Sequence, residues 1–152
     1  MEGTTLRRAL NHDALQVAKV YFRTRRAALP LIPPYTHTDD EVREWISSIV
    51  IALQDTWVAE TENRDIVAMM SIENGWIDQL YVDPEWSGQG IGSALVQLAQ
   101  ERYPCGLELW TFESNIGARR FYERHGFREA ERTDGRENEE HAPALRYLWS
   151  AL

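Results

Sequence analysis

A glycine-rich segment is the first part of the chain whose residue types and spacing can do chemistry. It reads Trp86-Ser87-Gly88-Gln89-Gly90-Ile91-Gly92-Ser93 and lies between a strand-like run and a helix-like run. Three glycines within five residues let the main chain approach an anion closely, and the amides at a helix start carry partial positive charge. The segment therefore predicts a phosphate or diphosphate site, with a flexible surface turn as the alternative.

Two other phosphate loops fit this segment less well. A Walker A loop requires Gly-Lys-Ser or Gly-Lys-Thr, which is absent, so nucleotide hydrolysis is disfavoured. A dinucleotide fingerprint requires a third glycine where Ser93 stands, and its strand opens a βαβ series rather than belonging to an antiparallel meander. An oxidoreductase that binds a nicotinamide cofactor is kept as an alternative, and it predicts tight NAD binding.

A second segment carries polar and aromatic side chains at helical spacing, from Asn115 to Phe127. Asn115 is a good helix N-cap, and Tyr122 falls one turn after Ala118 on the same helical face. Gly126 suits the left-handed position just past a helix end. This segment predicts a helix that presents one face to a site.

Length and charge limit the class of protein. The chain has 152 residues, 43% of them hydrophobic and 26% charged, which predicts one globular domain over residues 1–152. The net charge of −8 disfavours nucleic acid and favours cationic ligands. Because no long apolar run or apolar signal core is present, we expect a cytoplasmic protein without a membrane partner. One cysteine and four scattered histidines predict neither a disulfide nor a metal site.

Hydrophobic periodicity predicts an α+β fold with a mixed, mostly antiparallel sheet. Strands are expected at 4–9, 56–60, 65–72, 76–82, 107–112, 127–133 and 144–149. Four helices are expected, one from about residue 11 or 13 to 29 and others at 39–53, 91–102 and 115–125. Asn74-Gly75 predicts a tight hairpin, and the strand–helix–strand order over 76–112 predicts a parallel crossover.

The two segments together resemble the GNAT superfamily of N-acetyltransferases. The resemblance covers residues 76–95 and resumes at 115–127. The first block looks like the family's Arg/Gln-x-x-Gly-x-Gly/Ala pyrophosphate loop, with Gly90 and Gly92 as its glycines and Ser87 where arginine or glutamine is usual. This resemblance implies a twisted sheet flanked by four helices, in which strands four and five splay apart.

The resemblance also implies acetyl-CoA as the donor substrate. Its diphosphate would lie on Gln89 to Ser93, and its pantetheine arm would add to the edge of strand four as an extra strand. The side chain of Asn115 would contact the cofactor or cap its helix, or do both. The implied cofactor-binding residues are Leu80, Tyr81, Val82, Ser87, Gly88, Gln89, Gly90, Ile91, Gly92, Ser93, Asn115, Ala118, Phe121 and Tyr122.

The implied reaction moves an acetyl group to a primary amine of a small molecule or peptide by direct attack through a tetrahedral intermediate. Tyr122 resembles the family's general acid, with an ordinary core tyrosine as the alternative, and the Val82 N–H is the expected oxyanion donor. Two carboxylates are candidate general bases. Glu108 alternates with two aromatic residues on an apolar strand face, whereas Asp78 shares the strand parity of Leu80 unless a bulge re-aims it. Deprotonation through water is the third possibility.

Acceptor recognition is expected from the first two helices, their loop and the acidic loop over residues 134–141. Arg23, Arg25 and Arg26 form a solvated helix face or bind an acceptor carboxylate or a cofactor phosphate. The acidic loop attracts a polyamine or lysine-rich peptide, or simply faces water. The acceptor itself has no recognisable signature. A noncatalytic acyl-CoA-binding module is the alternative function, and a homodimer is expected only by analogy with the fold.

Overall fold

Apolar strands form the centre of one seven-stranded sheet in the order β1-β2-β3-β4-β5-β7-β6. The computed structural model describes residues 3–152, so residues 1 and 2 of the predicted domain lie outside the described residues. The strands are β1 Thr4–Arg8, β2 Asp55–Thr61, β3 Ile66–Glu73, β4 Trp76–Val82, β5 Leu107–Phe112, β6 Arg128–Thr133 and β7 Ala144–Trp149. Every neighbouring pair is antiparallel except β4 and β5.

The helices cover both faces of the sheet. They are α1 Ala14–Ala27, α2 Asp39–Trp45, α3 Ile91–Arg102 and α4 Ile116–Arg124. Residues of α3 and α4 pack on one face around Met70, and residues of α1 and α2 pack on the other around Met69. Because successive residues of a strand point to opposite faces, β3 supplies both cores and is buried along nearly its whole length. The predicted α+β fold with four helices is confirmed.

The second helix is the element that departs most from its prediction. Thr38 caps α2 by accepting a hydrogen bond from Glu41 N–H, as the sequence predicts. The α-helix ends at Trp45, however, and the chain continues as a π-helical segment over Ile46–Ile51. Ile46 and Val50 are buried, whereas the apolar side chains of Ile49 and Leu53 are exposed, so the wider helix buries only part of the predicted apolar face.

The turns follow the sequence closely. Asn74 and Gly75 have φ values of 51° and 81°, which is the geometry that a tight hairpin between β3 and β4 requires. α4 ends before Gly126, whose φ is 87°. A Cβ at Gly126 would lie 3.2 Å from Trp149 Cδ1, so both the backbone and the packing require glycine there.

We therefore expect Gly126→Ala to lower the free energy of unfolding by about 1–2 kcal/mol, measured by urea denaturation. The matched control is Gly117→Ala in the same helix. A Cβ at Gly117 meets open space, and its φ is not positive, so this change should raise the free energy of unfolding by roughly 0.5–1 kcal/mol. Equal effects at the two positions would contradict this account of α4.

Candidate active site

A cleft opens where β4 and β5 separate. The two strands pair only between Trp76 and Glu108, at the start of both, and then diverge. The resulting cleft has a volume of about 620 Å³. Its lining comes from β4–β7, α1, α4 and neighbouring loops, and comprises Arg25, Ile32, Ile77, Asp78, Gln79, Leu80, Tyr81, Trp110, Thr111, Phe112, Asn115, Ala118, Tyr122, Glu131, Thr133, Glu137, Asn138, Glu140 and Ala144. The predicted splay is confirmed.

The edge of β4 offers main-chain groups to this gap. Asp83 N–H donates to Val67 O over 2.8 Å, which fixes the pattern of the antiparallel ladder with β3. Tyr81 then bonds to β3, and Leu80 and Val82 direct their N–H and C=O groups the other way, toward β5. Thr24 Oγ1 donates to Val82 O over 3.3 Å on that outer side. The main-chain groups of Tyr81 therefore face β3 rather than the gap, and its contact with a ligand stays a prediction.

A bulge places Asp78 at the cleft. Gln79 pairs with Ser71 and Ile77 pairs with Ile72, so Asp78 has no partner on β3. Ile77 takes the core position that strict alternation would give to Asp78. The exposed Asp78 carboxylate accepts a hydrogen bond from Gln54 Nε2 at 3.3 Å and lines the cleft. The sequence allowed either strict alternation of Asp78 with Leu80 or a bulge that re-aims Asp78, and the structure has the bulge.

The glycine-rich segment positions the start of α3. Gly90 adopts a φ of 84° as the N-cap residue, and Gly88 has a φ of 78°. The first main-chain bond of the helix is donated by Ala94 N–H to Gly90 O at 3.0 Å, so the amides of residues 91–93 precede the intrahelical ladder. A Cβ at Gly92 would lie 3.3 Å from Phe121 Cζ. Glycine thus lets α3 approach α4.

Asn115 performs the structural role that the sequence predicts and also lines the cleft. Its side-chain oxygen accepts a hydrogen bond from Ala118 N–H at 3.2 Å and caps α4. Ala118 and Tyr122, one turn apart, line the cleft from the same helical face. Phe121 instead packs against Gly92 and His125.

Tyr122 combines burial with access to the cleft. Its side chain is 8% exposed and packs against Phe121 and Phe127, with ring centroids 5.2 and 5.6 Å away. Its hydroxyl makes no hydrogen bond to any of residues 3–152. Burial raises the pKa of the Tyr122 phenol well above its ordinary value, and the nearby Tyr81 adds to the shift. The phenol is therefore neutral and has a proton to donate.

Glu108 lies in a different setting from the apolar one expected. Its carboxylate accepts a hydrogen bond from Arg146 Nη1 at 2.6 Å, an ion pair that joins β5 to β7. It lines a separate depression beside Gly75 and Trp149 rather than the cleft. The prediction of an apolar environment for Glu108 is wrong, because Arg146 comes from a strand 38 residues away in sequence.

The three arginines of α1 do not share one environment. Arg23 pairs with Asp83 over 2.8 Å and Arg26 pairs with Asp39 over 2.8 Å, and both are partly or largely exposed. Arg25 is buried and lines the cleft. The predicted solvated helix face therefore applies only to Arg23 and Arg26. The sequence has no signal for this burial, which depends on the loop after α1.

Two loops meet beside the cleft. His37 Nε2 lies 3.2 Å from Glu139 Oε2, and Thr36 Oγ1 donates to the same carboxylate at 3.3 Å. The loop between α1 and α2 thus contacts the acidic loop between β6 and β7. Sequence reasoning missed Glu131 and Thr133, which also line the cleft, because nothing in the polar, largely exposed sequence of β6 marks them.

Within residues 3–152, no group of three or more His, Cys, Asp or Glu side chains is arranged to hold a metal ion. In that same range, no helix has the length and apolar character needed to cross a bilayer.

Comparisons with known proteins agree with this architecture. Residues 52–129 match the family described as the acetyltransferase (GNAT) domain. The chain is 34% identical over 89 residues to an uncharacterised N-acetyltransferase of Methanocaldococcus jannaschii, covering 56% of this chain and 36% of that protein. It is 37% identical over 78 residues to the peptidyl-lysine N-acetyltransferase YjaB of Salmonella typhimurium, covering 51% and 53% of the two chains. The alignments therefore span about a third to a half of these relatives.

The fold comparison extends over nearly the whole chain. The solution structure of apo YjaB from Escherichia coli matches with a TM-score of 0.78 and 23% identity, covering 98% of this chain and 99% of that one. The family match alone contains β4, the glycine-rich segment, α3 and α4, the elements that surround the splay. On this combined evidence of sequence and fold, the chain belongs to the GNAT acetyltransferase family.

Proposed function

We propose that this chain transfers the acetyl group of acetyl-CoA to a primary amine of a small molecule or peptide. One observation carries the proposal: the unpaired edge of β4 and the neutral Tyr122 lie at the same splay, and the glycine-lined start of α3 lies against Val82 at the end of that edge. Acetyl-CoA supplies an acetyl thioester, whose carbonyl carbon an amine can attack directly. The remaining chemistry falls to groups of this chain.

The geometry fits a long donor with a diphosphate at one end. The amides of residues 89–93 at the start of α3 are free to bind the diphosphate, where the helix dipole is positive. The outward main-chain groups of Leu80 and the Val82 N–H suit the amides of the pantetheine arm, whereas the Val82 carbonyl already accepts from Thr24. Asn115, Ala118 and Phe121 would contact the arm from α4, and Ser87 and Gly88 would shape the turn.

The Val82 N–H and the Tyr122 phenol would each stabilise a different developing negative charge. The Val82 N–H, directed into the splay, would donate to the oxyanion that forms at the carbonyl. Tyr122 would donate to the departing sulfur. An ordinary phenol has a pKa about 1.5 units above that of a thiol, so full proton transfer costs roughly 2 kcal/mol. Burial raises the pKa of Tyr122 further, which favours a hydrogen bond to the thiolate over a completed transfer.

We assign the proton of the incoming ammonium to Asp78, directly or through water. Asp78 lines the cleft and is free of any ion pair within the described part of the chain. Glu108 stays a prediction from the sequence, since Arg146 holds its carboxylate outside the cleft. Four carboxylates line the cleft, which favours a cationic acceptor such as an amine. We place the reaction in the cytoplasm, and a homodimer stays a prediction.

Titration calorimetry with acetyl-CoA tests donor binding. We expect saturable binding that Gly92→Val weakens about tenfold or more, because the branched side chain would collide with Phe121 and displace the start of α3. Gly117→Ala, at a position with open space, is the control and should bind normally. Absence of binding at about 1 mM acetyl-CoA would end the proposal, whereas tight NAD binding would favour an oxidoreductase.

Tyr122→Phe tests catalysis through release of CoA thiol with a panel of amines. We expect kcat to fall roughly 10- to 100-fold with acetyl-CoA affinity nearly unchanged, since the variant loses only the hydrogen bond to sulfur. Tyr147→Phe is the matched control, because Tyr147 is buried in the same aromatic group but donates to Glu123 over 2.8 Å. An unchanged rate between about pH 6 and 9 would remove Tyr122 from the mechanism. Thiol release that no amine accelerates would favour the noncatalytic acyl-CoA-binding module.

Asp78→Asn and Glu108→Gln distinguish the two candidate bases. We expect Asp78→Asn to lower kcat/KM at neutral pH by about tenfold or more. The deficit should shrink as the pH rises toward the pKa of the acceptor amine, which then loses its proton without help. Glu108→Gln should leave the pH profile in place. The reverse pattern would assign the base to Glu108, and two unchanged profiles would assign deprotonation to water.

A further inference from the structure

Arg25 is a buried cation whose guanidinium makes no ion pair within residues 3–152, although Glu140 and Tyr81 interact with it electrostatically. Arg25 is 8% exposed, and its Nη2 donates a hydrogen bond to Pro33 O at 3.1 Å. Its Nε is buried and has no hydrogen-bond acceptor among residues 3–152. Arg25 takes part in none of the ion pairs within that part of the chain. A buried guanidinium with an unused donor is costly unless an anion reaches it.

The contrast with its neighbours makes this burial informative. Arg23 and Arg26, on the same helix, each have a carboxylate within 2.8 Å and contact solvent. Arg25 instead lies against the rings of Tyr21 and Tyr35, with its guanidinium carbon 5.7 and 5.9 Å from the ring centroids. These rings hold the cation in place but do not neutralise it.

The position of Arg25 relates it to the reacting centre. It lines the same cleft as Tyr122, and Tyr81 interacts electrostatically with both side chains. Tyr81 and α1 belong to the core on one face of the sheet, whereas Tyr122 belongs to the core on the other. The splay joins the two faces. The guanidinium therefore lies on the side from which an acceptor would enter if the donor binds along α3 and α4.

We infer that Arg25 binds a carboxylate of the acceptor, so that the preferred substrate is a compact amine carrying a carboxylate, such as a free amino acid, rather than a polyamine. This inference rests on the proposed acetyl transfer and names its acceptor class. The cleft carboxylates Asp78, Glu131, Glu137 and Glu140 complement the ammonium group, and Arg25 complements the opposite charge. A zwitterion satisfies both, whereas a polyamine leaves the guanidinium unpaired and repelled.

The decisive comparison pairs each standard L-amino acid with its carboxamide. The two differ only in the carboxylate, and the carboxamide has the less basic amine, so chemistry alone would favour the carboxamide. We expect at least one amino acid to bind and to be acetylated about tenfold or more better than its carboxamide, with the difference mainly in KM. Binding is measured by calorimetry without donor, and turnover by thiol release, with spermidine included in the panel.

Two variants locate the effect. Arg25→Gln should bring the preference for the carboxylate close to 1 without moving the acetyl-CoA affinity, and Arg25→Lys should restore part of it. Arg26→Gln, on the exposed side of the same helix, should keep the preference of the unaltered chain. The comparison of amino acids with their carboxamides uses the unaltered chain. It can therefore overturn the inference even if Arg25→Gln unfolds.

Each result leads to a separate conclusion. Equal or better binding and acetylation of carboxamides or spermidine overturns the inference and leaves the acetyltransferase proposal standing. A carboxylate preference that survives in folded Arg25→Gln also overturns it. Binding of neither partner of any pair overturns it as well. Failure of acetyl-CoA to bind is the distinct result that removes the proposed function itself.

Discussion

The divergence of β4 and β5 is the constraint on which the site depends. Each strand is tied to a different neighbour, β4 to β3 and β5 to β7, and they meet only at Trp76 and Glu108. Beyond that pair, Leu80 and Val82 keep outward N–H and C=O groups without a strand partner. A buried main-chain group without a partner costs about 1–3 kcal/mol, so the gap favours water or a ligand that supplies strand-like amides.

Local features hold this gap open. The ion pair between Glu108 and Arg146 strengthens the attachment of β5 to β7 at the closed end. The bulge at Asp78 interrupts regular pairing of β4 and increases its twist just beyond the last contact with β5. Gly92 allows α3 to approach Phe121 beside the open end. The candidate catalytic residues are thus positioned by contacts that also stabilise the fold.

Local signals predicted the fold and the two ends of α4 well. Asn115 and Gly126 mark the two ends of α4 because capping depends on neighbouring residues only. Side-chain environments that depend on residues distant in sequence were not predicted. The environment of Glu108 depends on Arg146, and the burial of Arg25 depends on a proline loop that folds back over α1. Strand alternation alone also could not decide on which face Asp78 lies, since one extra residue reverses the pattern.

The cleft composition bears on how the acetyl group moves. Among the cleft residues in the described part of the chain, none is Cys, Ser, His or Lys, so a covalent acyl-enzyme would need a threonine, a tyrosine or a carboxylate as its nucleophile. The buried Tyr122 phenol has a raised pKa, so it stays neutral and is a donor rather than a nucleophile. Tyr122 packs in the core on one face of the sheet, and α1, which carries Arg25, packs in the core on the other face. In the proposed reaction, a thioester and an amine that approach from these two faces would meet in the splay, an arrangement that suits direct attack.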